Sequence, residues 1–220
     1  MKRKLWLMIT AIGISLFFGP LKTRAQSGDL PKFEVASDFS SITFGRGQTE
    51  LGLGGRLTYN LNKDVALEGA GYFFPRKCDF FCSRGRITEG LFGVKAGKRF
   101  KKWGIFGKFR PGVLSFSDGQ FDFVPVTTIP PTGSGFFGFE FVTRRLTTFA
   151  MDAGGVLEFY PTKRIVMRLD VGNTIIHYPT RTNNFVFFDP TTGKNVLVPI
   201  RTPAESRGTL QVIAGIGFRF

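Results

Sequence analysis

From residue 32 onward, apolar and polar residues take turns along the chain. Between Glu50 and Leu61, the residues Leu51, Leu53, Leu57, Tyr59 and Leu61 share one parity, while Glu50, Gly52, Gly54, Arg56, Thr58 and Asn60 share the other. Side chains alternate between the two sides of a strand, so this segment has one apolar face and one polar face. Val65 to Phe73 repeats the pattern, with Val65, Leu67 and Phe73 set against Glu68 and Tyr72. The same reading predicts eight strands, over residues 32–44, 49–61, 64–73, 87–97, 103–116, 146–160, 164–177 and 209–220.

The charges obey the same parity. None falls on the apolar side of any predicted strand. On the other side stand Glu34, Asp38, Glu50, Arg56, Glu68, Glu89, Lys95, Lys108, Arg110, Asp152, Glu158, Arg168, Asp170 and Arg219. Apolar residues and charges therefore choose the same faces independently.

Alternation does not say which face is inside. A soluble sandwich or lipocalin-like barrel would turn its apolar face inward. Small residues crowd the charged face (Gly52, Gly54, Ala66, Ala70, Gly93, Gly112, Gly154, Gly172, Gly215), which suits a narrow lumen better than a solvated surface. Aromatics gather at strand ends on the apolar face: Tyr59, Trp103 and Phe159 near short turns, and Phe73 at the other end. Such girdles mark the two interfaces of a membrane. From the second strand on, short turns (62–64, 98–102, 161–164) alternate with long loops (74–86, 117–145, 178–208). Bacterial outer-membrane barrels keep their short turns on the periplasmic side. The link around Gly45-Arg46-Gly47-Gln48 is short where a long one is due.

These features resemble the small eight-stranded outer-membrane barrels of the OmpA/OmpX-like family. The chain ends Gly215-Ile216-Gly217-Phe218-Arg219-Phe220, and Gly54 to Asn62 looks like the first periplasmic hairpin of such barrels. The expected fold is all-β, an antiparallel up-and-down transmembrane barrel over residues 26–220. The resemblance implies that Phe218 and Phe220 form the signal read by the barrel-assembly machinery. The peptidoglycan-binding domain that OmpA-type proteins carry after the barrel is absent from these 220 residues, so no cell-wall anchoring role is expected.

Residues 1–25 read as a secretory signal peptide, with Lys2, Arg3 and Lys4 before the apolar stretch Leu5–Phe18 and a loose small-x-small exit at Thr23-Arg24-Ala25. The leader holds five of the positive charges (Lys2, Arg3, Lys4, Lys22, Arg24) and no acid, so removing it takes the net charge from +14 to +9. The longest uncharged run after residue 26, Phe123–Phe139, is broken by Pro125, Pro130 and Pro131 and fits no spanning helix. Export points to the outer membrane, with both barrel termini on the periplasmic side and a monomer as the expected state.

An eight-stranded interior is just wide enough for side chains to fill. The inward charges are expected to pair across it and plug the lumen. A narrow, porin-like wet channel is the competing reading. In the long loops Phe121, Phe123, Phe137, Phe139 and Phe141 alternate as strands do. Phe185–Phe188, the turn Asp189–Lys194 and Val196–Val198 read as a hairpin. These segments would either pack into a rigid protrusion or add a partner's strand from outside. Loop bases (Arg46, Arg76, Lys77, Arg84, Arg86, Arg144, Arg145, Arg181, Lys194, Arg201, Arg207) suit lipopolysaccharide phosphates. Lys98, Arg99, Lys101, Lys102, Lys163 and Arg164 fall at periplasmic turns. Charge scattered over both ends of a barrel does not make a nucleic-acid surface.

Cys78 and Cys82, close together in one loop of an exported chain, are expected to form a disulfide. No metal or cofactor is expected, since His177 stands alone and far from them. Some small barrels are enzymes acting on lipid A. The His-x-Ser pattern of the deacylase family is missing, because His177 is followed by Tyr178-Pro179-Thr180. A histidine without a placed nucleophile is no triad, so no enzymatic role is expected. The expected function is structural or adhesive: a barrel that presents surface loops to an extracellular partner.

Overall fold

Period-two alternation over strand-length stretches, with Gly- and Asn-containing turns between them, leaves little for the chain to form except antiparallel ladders. The computed structural model describes residues 31–75, 85–125 and 139–220. Its strands are β1 (Phe33–Thr43), β2 (Thr49–Asn60), β3 (Val65–Phe74), β4 (Ile87–Arg99), β5 (Trp103–Pro125), β6 (Phe139–Phe159), β7 (Ile165–Tyr178), β8 (Arg181–Asp189), β9 (Lys194–Thr202) and β10 (Glu205–Arg219). Eight of them close into a barrel in the order β1-β10-β7-β6-β5-β4-β3-β2, and β8 and β9 form a separate hairpin. Every pairing is antiparallel. The seam runs from Glu34 opposite Arg219 to Thr43 opposite Leu210.

The short links share one end of the barrel with both of its termini. Phe33 donates its amide to the Phe220 carbonyl at 3.0 Å, and Phe220 returns the bond at 2.9 Å. In the β2–β3 link Asn62 Oδ1 accepts the amides of Asp64 and Val65, both at 2.8 Å. Thr162 Oγ1 does the same for Arg164 and Ile165 in the β6–β7 link. These side-chain turns satisfy backbone donors that a tight reversal would otherwise leave bare. At the opposite end the β1–β2 link is a single 3-10 turn, Gly45–Gly47, with Gly47 at φ +73°.

Lumen-facing glycines permit the close strand approach that a small, strongly coiled barrel needs. A Cβ on Gly93 would stand 2.6 Å from the Arg110 Cα, and one on Gly112 would stand 2.9 Å from the Leu91 Cα. Neither neighbour could yield without moving backbone.

On the long-loop side the strands run past the boundaries of the eight predicted segments, as the alternating aromatics of these loops lead one to expect. β5 continues to Pro125 instead of residue 116, and β6 begins at Phe139 instead of residue 146. The ladder shifts register between Phe116 and Gln120, then resumes to put Phe123 opposite Phe141. Ring pairs Phe121–Phe141 (5.9 Å) and Phe123–Phe141 (5.5 Å) hold the extension together, as cross-strand aromatics do. The hairpin is likewise longer than its aromatic core, because Asn183, Asn184 and Thr182 continue the pairing with Ile200, Pro199 and Arg201. The leader at 1–25, Cys78 and Cys82, Arg76, Lys77 and Arg84, and Phe137 lie outside the described residues.

Candidate functional site: the lumen and its outer rim

Strand geometry fixes which side chains meet inside. On β7 the even positions Val166, Arg168, Asp170, Gly172, Thr174 and Ile176 point inward, and β3 presents Ala66, Glu68, Ala70, Tyr72 and Phe74. These two strands lie diametrically opposite in the barrel order. Arg168 crosses the lumen to both carboxylate oxygens of Glu68, with Nη2 2.9 Å from Oε2, and also holds Asp170 through Nη2 at 2.8 Å. Lys108 bridges Asp152 (2.8 Å) and Asp170 (3.3 Å), while Arg110 Nε donates to Asp152 at 2.9 Å. Lys95 contacts Glu158 and lies 3.5 Å from Glu68. Arg56 and Tyr72 both meet Asp38, at 3.3 and 3.2 Å.

Towards the short-turn mouth the network continues with Glu34, which accepts from Asn60 at 3.0 Å and pairs with Arg99 at 3.5 Å. Arg219 lies with its guanidinium 4.3 Å from the centre of the Tyr160 ring and reaches the Thr162 carbonyl at 3.4 Å. Towards the other mouth Gln211 of β10 donates to Glu89 of β4 at 2.8 Å, again across the full width of the barrel. Glu89 is held by this neutral partner, and among the described residues no cation lies within ion-pair distance of it. Glu50 is half-buried at the rim of this mouth. The other inward charges, from Glu34 to Arg219, are buried.

Beyond Glu89 the interior turns apolar. Ile42, Phe44, Phe74, Ile87, Leu114, Phe116, Ile176 and Ile213 form one buried cluster across the long-loop end of the lumen. Phe44 and Phe116 approach to 6.3 Å from opposite walls. The sequence reading does not anticipate this cap. It distributes the phenylalanines among the lipid face, strand ends and loops, whereas Phe44, Phe74, Phe106 and Phe116 are inside. The available signal is that all four share the parity of the charges. Arg99 is a second correction: it belongs to the lumen and not to a surface turn, because β4 runs two residues further than predicted and residue 99 keeps the inward parity of Lys95.

The outer surface has the opposite composition. Leu53 is 69 % exposed, Leu57 64 % and Phe92 63 %, while Glu68, Asp152 and Asp170 have no exposure. No water-soluble fold leaves leucines bare and hides its aspartates. On β7 the outward run Ile165–Ile175 spans about 25 Å once strand tilt is included, the height of a lipid-facing band. The fold is that of an outer-membrane β-barrel.

An aromatic belt borders this band at the short-turn end. Trp103 pairs opposite Phe159, Phe100 stacks on Trp103 at 4.1 Å, and Phe33 sits between Tyr59 (5.0 Å) and Phe220 (6.1 Å). Phe218 and Phe220 face outward here, 6.3 Å apart. No family model matches the chain, and no curated protein sequence matches it. Among solved structures the chain is similar to Neisserial surface protein A (11 % identity, covering 86 % of this chain and 97 % of that one, TM-score 0.46). It is also similar to OprG from Pseudomonas aeruginosa (10 %, 87 % and 97 %, TM-score 0.44). A third is Ail, the attachment invasion locus protein of Yersinia pestis (14 %, 86 % and 96 %, TM-score 0.42).

At the long-loop end the β8–β9 hairpin leans on the β5 extension. Asn184 donates its amide to Asp122 at 2.9 Å, Arg181 reaches the Gly119 carbonyl at 3.2 Å, and Phe185 meets Phe121 edge to face at 5.5 Å. Phe187 and Phe188 remain exposed. In the hairpin turn Asp189 accepts from the Thr192 hydroxyl (2.8 Å) and the Thr191 amide (2.9 Å), which holds its carboxyl below the usual range. His177 is not as isolated as the sequence suggests: its Nδ1 lies 2.9 Å from Ser206 Oγ on β10. The pair is exposed on the outer wall, and among the described residues no carboxylate accepts from the other ring nitrogen.

Proposed function

We propose that this protein is an integral outer-membrane barrel, closed to solutes, whose work is done by the strands that rise beyond the membrane. The observation that carries the reading is the pair of diametric links, Arg168 to Glu68 and Gln211 to Glu89, under a cap of apolar side chains. A lumen crossed twice by hydrogen bonds leaves no continuous water column for a solute to follow. The β5–β6 extension and the β8–β9 hairpin then form one braced aromatic platform facing outward. Its exposed phenylalanines suit an extracellular protein or surface partner. The basic loop residues, Arg144, Arg145, Lys194 and Arg201 among them, suit the phosphates of lipopolysaccharide.

On this reading residues 1–25 export the chain, the short turns and both barrel termini face the periplasm, and Phe218 and Phe220 are read during assembly. The barrel acts as a monomer and without catalysis. Disruption of the gene tests the assignment when surface adhesion, dye permeability and the lipid A mass spectrum are measured together. Loss of surface binding alone is the expected outcome. Altered permeability would favour a pore, and an altered lipid A mass would favour an enzyme.

A further inference from the structure

The short-turn end carries cations that make no ion pair among the described residues. Lys101 and Lys102 form the β4–β5 turn, and Lys163 and Arg164 lie in the β6–β7 turn. All four are exposed. The two turns are neighbours on the rim, since the Tyr160 amide donates to the Lys102 carbonyl at 2.8 Å and Trp103 pairs opposite Phe159. Lys98 joins them from the outer wall: it stands opposite Ile105, on the same side of β4 as Phe92 and Val94. Among the described residues the ion pairs run through the lumen or join Glu205 to Arg207, and none includes these five bases. Asp64, in the neighbouring β2–β3 turn, makes no ion pair with them.

Two features select the counter-ion. The exposed Phe100–Trp103 stack lies within this cluster, at the level where aromatic rings meet lipid headgroups. Lys98 points along the apolar wall, where a lipid reaches it and a protein docked on the turns does not. We propose that Lys98, Lys101, Lys102, Lys163 and Arg164 form a binding site for the phosphate headgroup of an anionic phospholipid of phosphatidylglycerol type. Its acyl chains lie against Trp103, Ile105 and Phe159. The inference rests on the membrane-barrel reading and adds a lipid preference to it.

Trp6 and Trp103 are the only tryptophans of the sequence, so the full chain carrying Trp6→Phe reports on Trp103 alone. The protein is refolded into vesicles containing brominated phosphatidylcholine or brominated phosphatidylglycerol in graded mixtures, and quenching of Trp103 is recorded. The expected result is a preference for the anionic lipid of about fivefold or more at low salt, shrinking towards unity as ionic strength rises. Replacing all five bases with Gln removes the preference in a barrel that still shows heat-modifiable mobility. If that variant does not fold, Lys98→Gln alone reduces the preference. Equal quenching by the two lipids overturns the proposal and leaves the barrel intact. Equal quenching together with a shift of Trp103 emission by soluble polyglutamate points instead to an acidic protein. Absence of quenching by either lipid overturns the membrane reading itself.

Discussion

Replacing Arg168 with Met removes the cation that spans the barrel. In the folded protein Arg168 donates to Glu68 through Nη1 and Nη2 and to Asp170 through Nε and the shared Nη2, and it lies 3.6 Å from Glu158. Without it, Glu68 keeps Lys95 at 3.5 Å and Arg110 at 3.7 Å, and Asp170 keeps Lys108 at 3.3 Å. These contacts are longer than the ones lost, so two buried carboxylates become under-compensated. Breaking a buried pair from one side costs about 3–5 kcal/mol. A loss of about 4 kcal/mol lowers the folding equilibrium constant by about a thousandfold. Urea titrations of the barrel in lipid vesicles, approached from both directions and followed by Trp103 emission in the Trp6→Phe background and by gel mobility, measure it. Adding Glu68→Gln to Arg168→Met removes one stranded charge, and the double variant is expected to be about 2 kcal/mol less destabilised than the sum of the singles. A cost under about 1 kcal/mol for Arg168→Met, the value of a solvated surface pair, would refute the reasoning and indicate a wet lumen.

Three further outcomes follow from the same geometry. Phe116→Ala opens the apolar cap between Phe44 and Tyr178 and should cost about 3–5 kcal/mol in the same titration, while Phe187→Ala on the exposed hairpin should cost almost nothing. Asp189 has a folded pKa below its unfolded one, so its contribution to the hairpin is present above the unfolded value near 3.9 and is lost as pH falls through the folded value. A carboxyl-carbon NMR titration should place its midpoint below that of Asp189 in the Thr192→Ala variant, and coincident midpoints would contradict the hydrogen-bond assignment. His177→Ala should leave the lipid A mass spectrum of the cell unchanged, and any loss of a modified species would make the His177–Ser206 pair catalytic.

Much of the barrel was legible in the sequence because its signal is redundant. Leu51, Leu53 and Leu57 on one parity and Glu50 and Arg56 on the other specify the same strand twice over, and the closed order of strands follows from the lengths of the links. The polarity was legible too, through Gly93 and Gly112 on the charged side and Trp103 and Phe159 on the apolar side. What escaped was the axial order inside the lumen. Parity places Phe116 and Arg110 on one face but does not say that the first belongs to a cap and the second to an ion network. That depends on how strands stagger around the barrel. Arg99 was misplaced by a strand end two residues short, and an error of that size moves a side chain between turn and lumen. Ser206 meets His177 only through the β7–β10 register, which passes over the whole β8–β9 hairpin and has no local signature.

The central claim is that the polar interior is closed. Planar-bilayer recordings of the purified, refolded full chain test it most directly, with Arg168→Met recorded beside the wild-type protein. Wild-type protein should give a bilayer without stable conductance steps. Large, persistent single-channel steps from the wild-type barrel, present in every folded preparation, would contradict the account.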